Sequence, residues 1–261
     1  MDIFIVDAFT DQPFKGNSAA VVPVEEWLSD ELMQDIATEN NLSDTAYIKK
    51  VGSKKYEIRW FSPLTEIDFC GHATLASAYV LFNEFGVEGQ VKFITRAVGN
   101  LDVILNARNE IEMTFPNQKP EIIPSIPTQL LQGLSKKPIE VLKNRQAYFA
   151  IYDSEYDVVE VTYESQQLKQ LAPLDVVVTA KSKKYDFVSR YFWPANGGEE
   201  DPVTGSIHSG LAPYWADKLG KLDLLAYQAS KRGGVLKCSV SGKTVVVSGK
   251  GVLYLKGKIN V

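Results

Sequence analysis

Cysteine is scarce in this chain: Cys70 and Cys238 are the only two in 261 residues. Two thiols in a chain of that length make no disulfide framework, and the expected compartment is the cytoplasm. Histidine is equally rare. The spacing of His72 and His208 relative to other histidines, cysteines and acids gives no recognisable ligand set, so no metal site is expected. No apolar run approaches the length of a membrane-spanning helix. The opening MDIFIVDAF alternates like a strand and carries Asp2 and Asp7, unlike a signal peptide. There is no Gly-x-Ser-x-Gly elbow to suggest a hydrolase. Charge of one sign is lacking too. The formal net charge is −4, which gives no reason to expect nucleic acid or an anionic membrane as partner.

What the chain does have is the composition of a soluble globular protein, with 45% apolar and 23% charged residues. It also repeats itself. SKKYEIRWFSP (53–63) is answered by SKKYDFVSRYFWP (182–194), and CGHATLASAYVLFNEFG (70–86) by TGSIHSGLAPYWADKLG (204–220). The offset grows from 129 at the serines (53 and 182) to 131 at the arginines (59 and 190). It reaches 134 at the glycines (71 and 205). Matches in one order imply duplication, with two α+β halves and a cleft between them. Their junction is expected near the proline-rich FPNQKPEIIPSIP (115–127), giving lobes over 1–116 and 117–261. The last strand, GVLYLKGKINV, either stays with the second lobe or crosses back to the first.

Each half reads as strands, a loop, a helix entered at Gly71 or Gly205, and then hairpins. Leu75, Ala78, Tyr79 and Phe82 recur at helical spacing and read as core. Pro213 should kink the second helix or end its first part. Another helix is expected over 29–40, with Ser29 as its N-cap, followed by a turn into a strand at NLSDTAYI.

The equivalent helix starts carry the chemistry. A helix N-terminus presents unpaired N–H groups and the positive end of its dipole, which suits a carboxylate. Gly71 and Gly205 have no Cβ to hold a ligand off the backbone. His72 follows Gly71 at the place equivalent to the Thr-Gly-Ser turn, which favours a functional over a packing role. Asp201 with Ser206 is either part of a pocket or a cap for the following turn. His208 reads equally as support or as packing.

Four motifs in order, GNSAAVV (16–22), NLSDT (41–45), CGHATLAS (70–77) and DPVTGSIH (201–208), resemble the phenazine-biosynthesis, PhzF-like isomerase family over essentially the whole chain. The resemblance implies a diaminopimelate epimerase-like fold. That is an α+β chain of two pseudo-symmetric lobes, each a curved, mostly antiparallel sheet around a central helix, with the active site in the cleft. It implies proton shuttling without metal or organic cofactor, and a homodimer. Carried over by position, it makes Asp44 the general acid/base. His72, Asp201 and Ser206 would hold the substrate's polar groups, Gly71 and Gly205 would offer backbone donors, and Asn17 would lie in the Gly-Asn loop. The phenazine enzymes carry glutamate at the place of Asp44. The lost methylene withdraws the carboxylate by about 1.5 Å, enough to cost on the order of a hundredfold in rate on an unchanged substrate. Asp44 then serves a differently placed substrate, or the phenazine reaction is absent.

The expected protein is a cofactor-independent isomerase or epimerase acting on a small anionic, carboxylate-bearing substrate. The rival reading is a non-catalytic ligand-binding or scaffold protein of the same fold. A two-thiol racemase is disfavoured, because the repeat places Thr204 opposite Cys70.

Overall fold

A computed structural model describes all residues, Met1–Val261. The chain divides into two compact units: Met1–Thr114 with Ser248–Val261, and Phe115–Val247. The second unit therefore ends before the last strand, short of the expected 117–261 span.

The strands of the first unit are β1 (Asp2–Ala8), β2 (Asn17–Val24), β3 (Asp44–Gly52), β4 (Lys55–Phe61), β5 (Glu66–Ile67), β6 (Val91–Ile94), β7 (Asn100–Leu105) and β8 (Ile111–Pro116). Two helices, α1 (Asp30–Asn40) and α2 (Gly71–Tyr79), interrupt them. The C-terminal strand (Gly251–Lys258) pairs antiparallel with β1, which also pairs antiparallel with β2.

Local signals explain the helices. Ser29 Oγ accepts the Leu32 N–H at 3.2 Å and opens α1. Asn41, in the left-handed region at φ 48°, closes it three residues before β3 begins. Met33, Ile36 and Ala37 of α1 pack on Ala20, Val22, Tyr47 and Phe61 of the sheet. Helix α2 is different: Gly71 through Ala78 are all buried, and its glycine, alanines and small hydroxyl residues let β1, β2, β3 and the C-terminal strand approach closely. It runs on into a π-turn over Val80–Glu84.

The second unit holds β9 (Glu121–Ile122), β10 (Glu140–Lys143), β11 (Ala147–Ile151), β12 (Asp175–Lys181), β13 (Phe187–Phe192), β14 (Glu200–Asp201), β15 (Asp223–Gln228), β16 (Gly234–Ser241) and most of β17 (Thr244–Gly249). Its helices are α3 (Thr128–Gly133), α4 (Glu155–Glu160), α5 (Ser165–Leu168) and α6 (His208–Leu219). Leu130, Val158 and Leu168 pack with Val176, Val178 and Phe192 in its core.

Strand pairing reproduces the sequence repeat. In the first unit β2–β3 is parallel, β3–β4 and β4–β5 antiparallel, β4–β6 parallel and β6–β7 antiparallel. The second repeats this order as β11–β12 parallel, β12–β13 and β13–β14 antiparallel, β13–β15 parallel and β15–β16 antiparallel.

Two helix expectations need correction. Gly205 does not enter α6, which starts at His208. A turn of 3₁₀ type precedes it, with His208, Ser209 and Gly210 N–H groups donating to Gly205, Ser206 and Ile207 carbonyls. Nor does Pro213 end the helix, which continues to Leu219. The carbonyl that Pro213 leaves without its helical donor is that of Ser209, and the Gln118 N–H donates to it at 3.0 Å.

Candidate active site

Within the first unit, three chain segments meet at one polar cluster. Gly16 makes the entry to β2 possible: its φ is +65°, and a Cβ there would lie 2.0 Å from the Ala8 carbonyl oxygen. Asn17 follows as the first residue of β2, fully buried. Parallel pairing of β2 with β3 sets Asp44 beside Ala19. Cys70 and His72 arrive with the N-terminus of α2, where the Cys70 sulfur caps the helix by accepting the Ala73 N–H at 3.4 Å.

The donor and acceptor pattern is tight. The Cys70 S–H donates to Asp44 Oδ2 at 3.0 Å. His72 Nε2 lies 3.4 Å from the same oxygen, and Nδ1 lies 3.1 Å from Asn17 Nδ2 and 3.3 Å from Cys70 Sγ. An amide N–H at Nδ1 requires that nitrogen to accept, which leaves the ring proton on Nε2, facing Asp44. Burial pushes the His72 imidazole down to about 3, so the ring is neutral near pH 7. Asp44 Oδ2 thus accepts from one neutral donor, the Cys70 S–H, with the neutral imidazole standing 3.4 Å away, so the carboxylate is held without a formal positive charge.

Cys70 was expected only as a disfavoured thiol nucleophile. The structure puts it in direct contact with Asp44, and no spacing signal could show this, since the two lie 26 residues apart. The donor atoms of Asp44, Cys70 and His72 all fall within 4.8 Å of one another, a ligand-type cluster the sequence spacing had concealed.

The other candidates lie in the second unit. Asp201 belongs to β14 and its Oδ2 accepts the Thr204 hydroxyl at 2.5 Å. It therefore braces the turn as a cap would. The buried Gln228 ties the same turn from both sides, donating to the Asp201 carbonyl at 2.8 Å and accepting the Thr204 N–H at 2.9 Å. Ser206 Oγ accepts a hydrogen bond from Gln146 at 2.9 Å, and Gln146 also reaches the Tyr191 hydroxyl at 3.2 Å. Tyr191 in turn donates to Asp175 Oδ2 at 2.6 Å. Burial raises Asp175 above the usual carboxylate range. No sequence signal pointed to Gln146, Tyr191 or Asp175. His208 resolves as packing: it is fully buried, donates from Nδ1 to the Thr204 carbonyl at 2.9 Å and lies 5.9 Å from the Phe187 ring.

Relatives share this frame over their full lengths. The PhzC-PhzF family, described as phenazine biosynthesis-like protein, matches residues 6–257. A Pseudomonas aeruginosa protein named as an uncharacterized isomerase is 46% identical over 263 residues, covering 100% of this chain and 99% of its own. A crystal structure of a PhzF-family protein from Enterococcus faecalis is 42% identical, covers 100% of this chain and 99% of its own, and superposes with a TM-score of 0.94. A hydroxyproline epimerase from Agrobacterium vitis, 12% identical with a TM-score of 0.62, covers 98% of this chain and 91% of its own and shares the fold alone. The chain belongs to the phenazine biosynthesis-like PhzC-PhzF family, as an α+β enzyme of the isomerase type.

Proposed function

We propose that the protein moves a proton on a small carboxylate-bearing molecule, without metal or organic cofactor, and that Asp44 takes the proton from carbon and returns it. The observation that carries this reading is the Asp44 carboxylate itself, nearly buried and held by the Cys70 S–H at 3.0 Å beside His72 Nε2 at 3.4 Å. A general base must be fixed in position before it meets its substrate, and the Cys70 hydrogen bond and the packed imidazole beside it supply that fixation.

The N-terminal turn of α2, with Gly71 and His72, supplies N–H groups and a positive dipole end for the substrate's carboxylate. Charge that develops as the proton leaves carbon is stabilised by such pre-aimed donors. The same reading assigns Asp201, Ser206 and Gly205 of the second unit, and Asn17 behind His72, to holding polar groups of the substrate. It takes the enzyme to be a cytoplasmic homodimer.

Incubation with pools of amino acids and cyclic hydroxy acids in deuterated water tests the assignment. The parent protein is expected to wash deuterium into the carbon next to the carboxylate. Asp44→Asn should slow this by about a hundredfold or more. Equal exchange by both proteins would remove Asp44 from the role. Ligand-induced thermal shifts of the same size in both, with turnover by neither, would favour the non-catalytic binding protein.

A further inference from the structure

We infer that Gln146, held by Tyr191 and Asp175, fixes the Ser206 hydroxyl as a hydrogen-bond donor toward the substrate, so that this turn of the second unit favours an acceptor oxygen over an amine. Gln146, Tyr191 and Asp175 are then positioning residues. The inference rests on the proposed function in one respect, that Ser206 meets the substrate. The duplicated frame puts these residues where the first unit keeps its polar cluster. Asp175 opens β12 and pairs with Ala147 of β11, as Asp44 opens β3 and pairs with Ala19 of β2. Ser206 stands in the repeat at the place of His72. The His72 imidazole lies 3.4 Å from Asp44. Between Ser206 and Asp175, the Gln146 amide and the Tyr191 hydroxyl span the interval instead.

Counting protons gives each bond its direction. Asn196 Nδ2 faces the Pro173 carbonyl, which only accepts, and the same nitrogen donates to Asp175 Oδ1 at 2.8 Å. Burial and the neighbouring carboxylate raise Tyr191 well above an ordinary phenol, so it keeps its proton. That single proton goes to Asp175 Oδ2 across 2.6 Å. Burial raises Asp175, and the hydrogen bonds from Tyr191 and Asn196 oppose the rise by favouring the ionised form. The Tyr191 oxygen is then left to accept, so the Gln146 atom 3.2 Å from it is the amide nitrogen and not the carbonyl oxygen. This nitrogen also lies 2.9 Å from Ser206 Oγ, so Ser206 accepts there too.

No protein acceptor takes the Ser206 proton, which is left pointing away from Gln146. A carboxylate or carbonyl oxygen can receive it without first breaking a bond within the protein. Donation by Gln146 into Oγ polarises the hydroxyl and strengthens it as a donor.

Two measurements test the inference, and the first needs no substrate. In nuclear magnetic resonance of protein labelled with ¹³C at aspartate, the Asp175 carboxyl, assigned through Asp175→Asn, is expected to be ionised at pH 7. The ¹⁵N-labelled side-chain amide of Gln146 should shift in both Tyr191→Phe and Ser206→Ala. A protonated Asp175 at pH 7, or a Gln146 amide indifferent to either substitution, overturns the inference. The second measurement follows solvent-deuterium exchange on an acid that the parent protein accepts. Gln146→Leu should raise KM about tenfold and leave kcat within about threefold, because the hydroxyl meets ground state and transition state alike. Added to Ser206→Ala, it should cause no further loss, since the two act through one contact. Additive losses would make Gln146 a merely structural residue and would also overturn the inference. A parent protein that exchanges no acid counts against the isomerase reading, and the resonance measurement alone then decides the inference.

Discussion

Arg59 grips Glu66 through two parallel hydrogen bonds, Nε to Oε1 at 2.7 Å and Nη2 to Oε2 at 2.6 Å. The second unit repeats the fork between Arg190 and Glu200, at 2.7 and 2.9 Å. Each guanidinium lies over a phenylalanine two residues on, Phe61 at 5.1 Å and Phe192 at 5.0 Å. In both units the acid sits opposite that same phenylalanine across an antiparallel pair. Only an arginine offers a planar fork for a carboxylate and a flat face for an aromatic ring. The recurring Arg-aromatic-Phe in the sequence therefore marks a repeated structural clamp.

The Arg59 side chain is 2% exposed, whereas Glu66 keeps 33% of its side-chain surface. Arg59→Met leaves Glu66 only the looser Arg96 contact at 3.6 Å and is expected to cost about 2 kcal/mol, between an exposed ion pair and a fully buried one. Arg59→Lys, which lacks the fork, should recover less than half of that. Urea denaturation of the three proteins measures it. A loss under about 1 kcal/mol in Arg59→Met would class the clamp with ordinary surface ion pairs.

The duplication was legible because the clamp and the helix starts need particular residue types at matching places in each half. Ser29 as a cap was legible for the same reason. The contacts that complete the candidate site were not. Cys70 meets Asp44 only because β2 and β3 pair in parallel and α2 is buried between strands, and neither residue's neighbours in sequence encode that pairing. Gln146 lies 60 residues from the Ser206 it supports. The reach of α6 through Pro213 depended on Gln118, a residue in another segment, taking up the released carbonyl.

Acid stability should report the two histidines. Burial pushes His72 down to about 3 and His208 to about 4, both below the ordinary value near 6.5. Between pH 6.5 and 4 the unfolded chain thus binds more protons than the folded one. The stabilisation from keeping both rings neutral is complete above pH 6.5 and is lost as pH falls, by up to about 1.4 kcal/mol per pH unit for each histidine. His208 Nε2 has no hydrogen-bond partner, so His208→Leu removes one titration without stranding a donor at that nitrogen. Between pH 6.5 and 5, the slope of unfolding free energy against pH should fall in that variant by the contribution of one histidine, up to about 1.4 kcal/mol per pH unit. An unchanged slope would mean that His208 is protonated in the folded protein.

Asp44→Glu tests whether the position of the carboxylate, rather than its mere presence, matters. The added methylene advances the carboxyl group by about 1.5 Å. Its partners do not move with it: Cys70 is fixed as the cap of α2, and His72 is held through Asn17. The longer side chain must either overrun the 3.0 Å contact with Cys70 or fold back on a less favourable rotamer. Displacement of a base by about 1 Å costs on the order of a hundredfold. Solvent-deuterium exchange by Asp44→Glu should therefore drop by about that factor, on substrates that the parent protein accepts. The loss should fall mainly on kcat, because the donors at the start of α2 that receive the substrate's carboxylate are untouched. Exchange at the parent rate would show that the carboxylate works from a range of positions, and the Cys70 contact would then have no part in placing it.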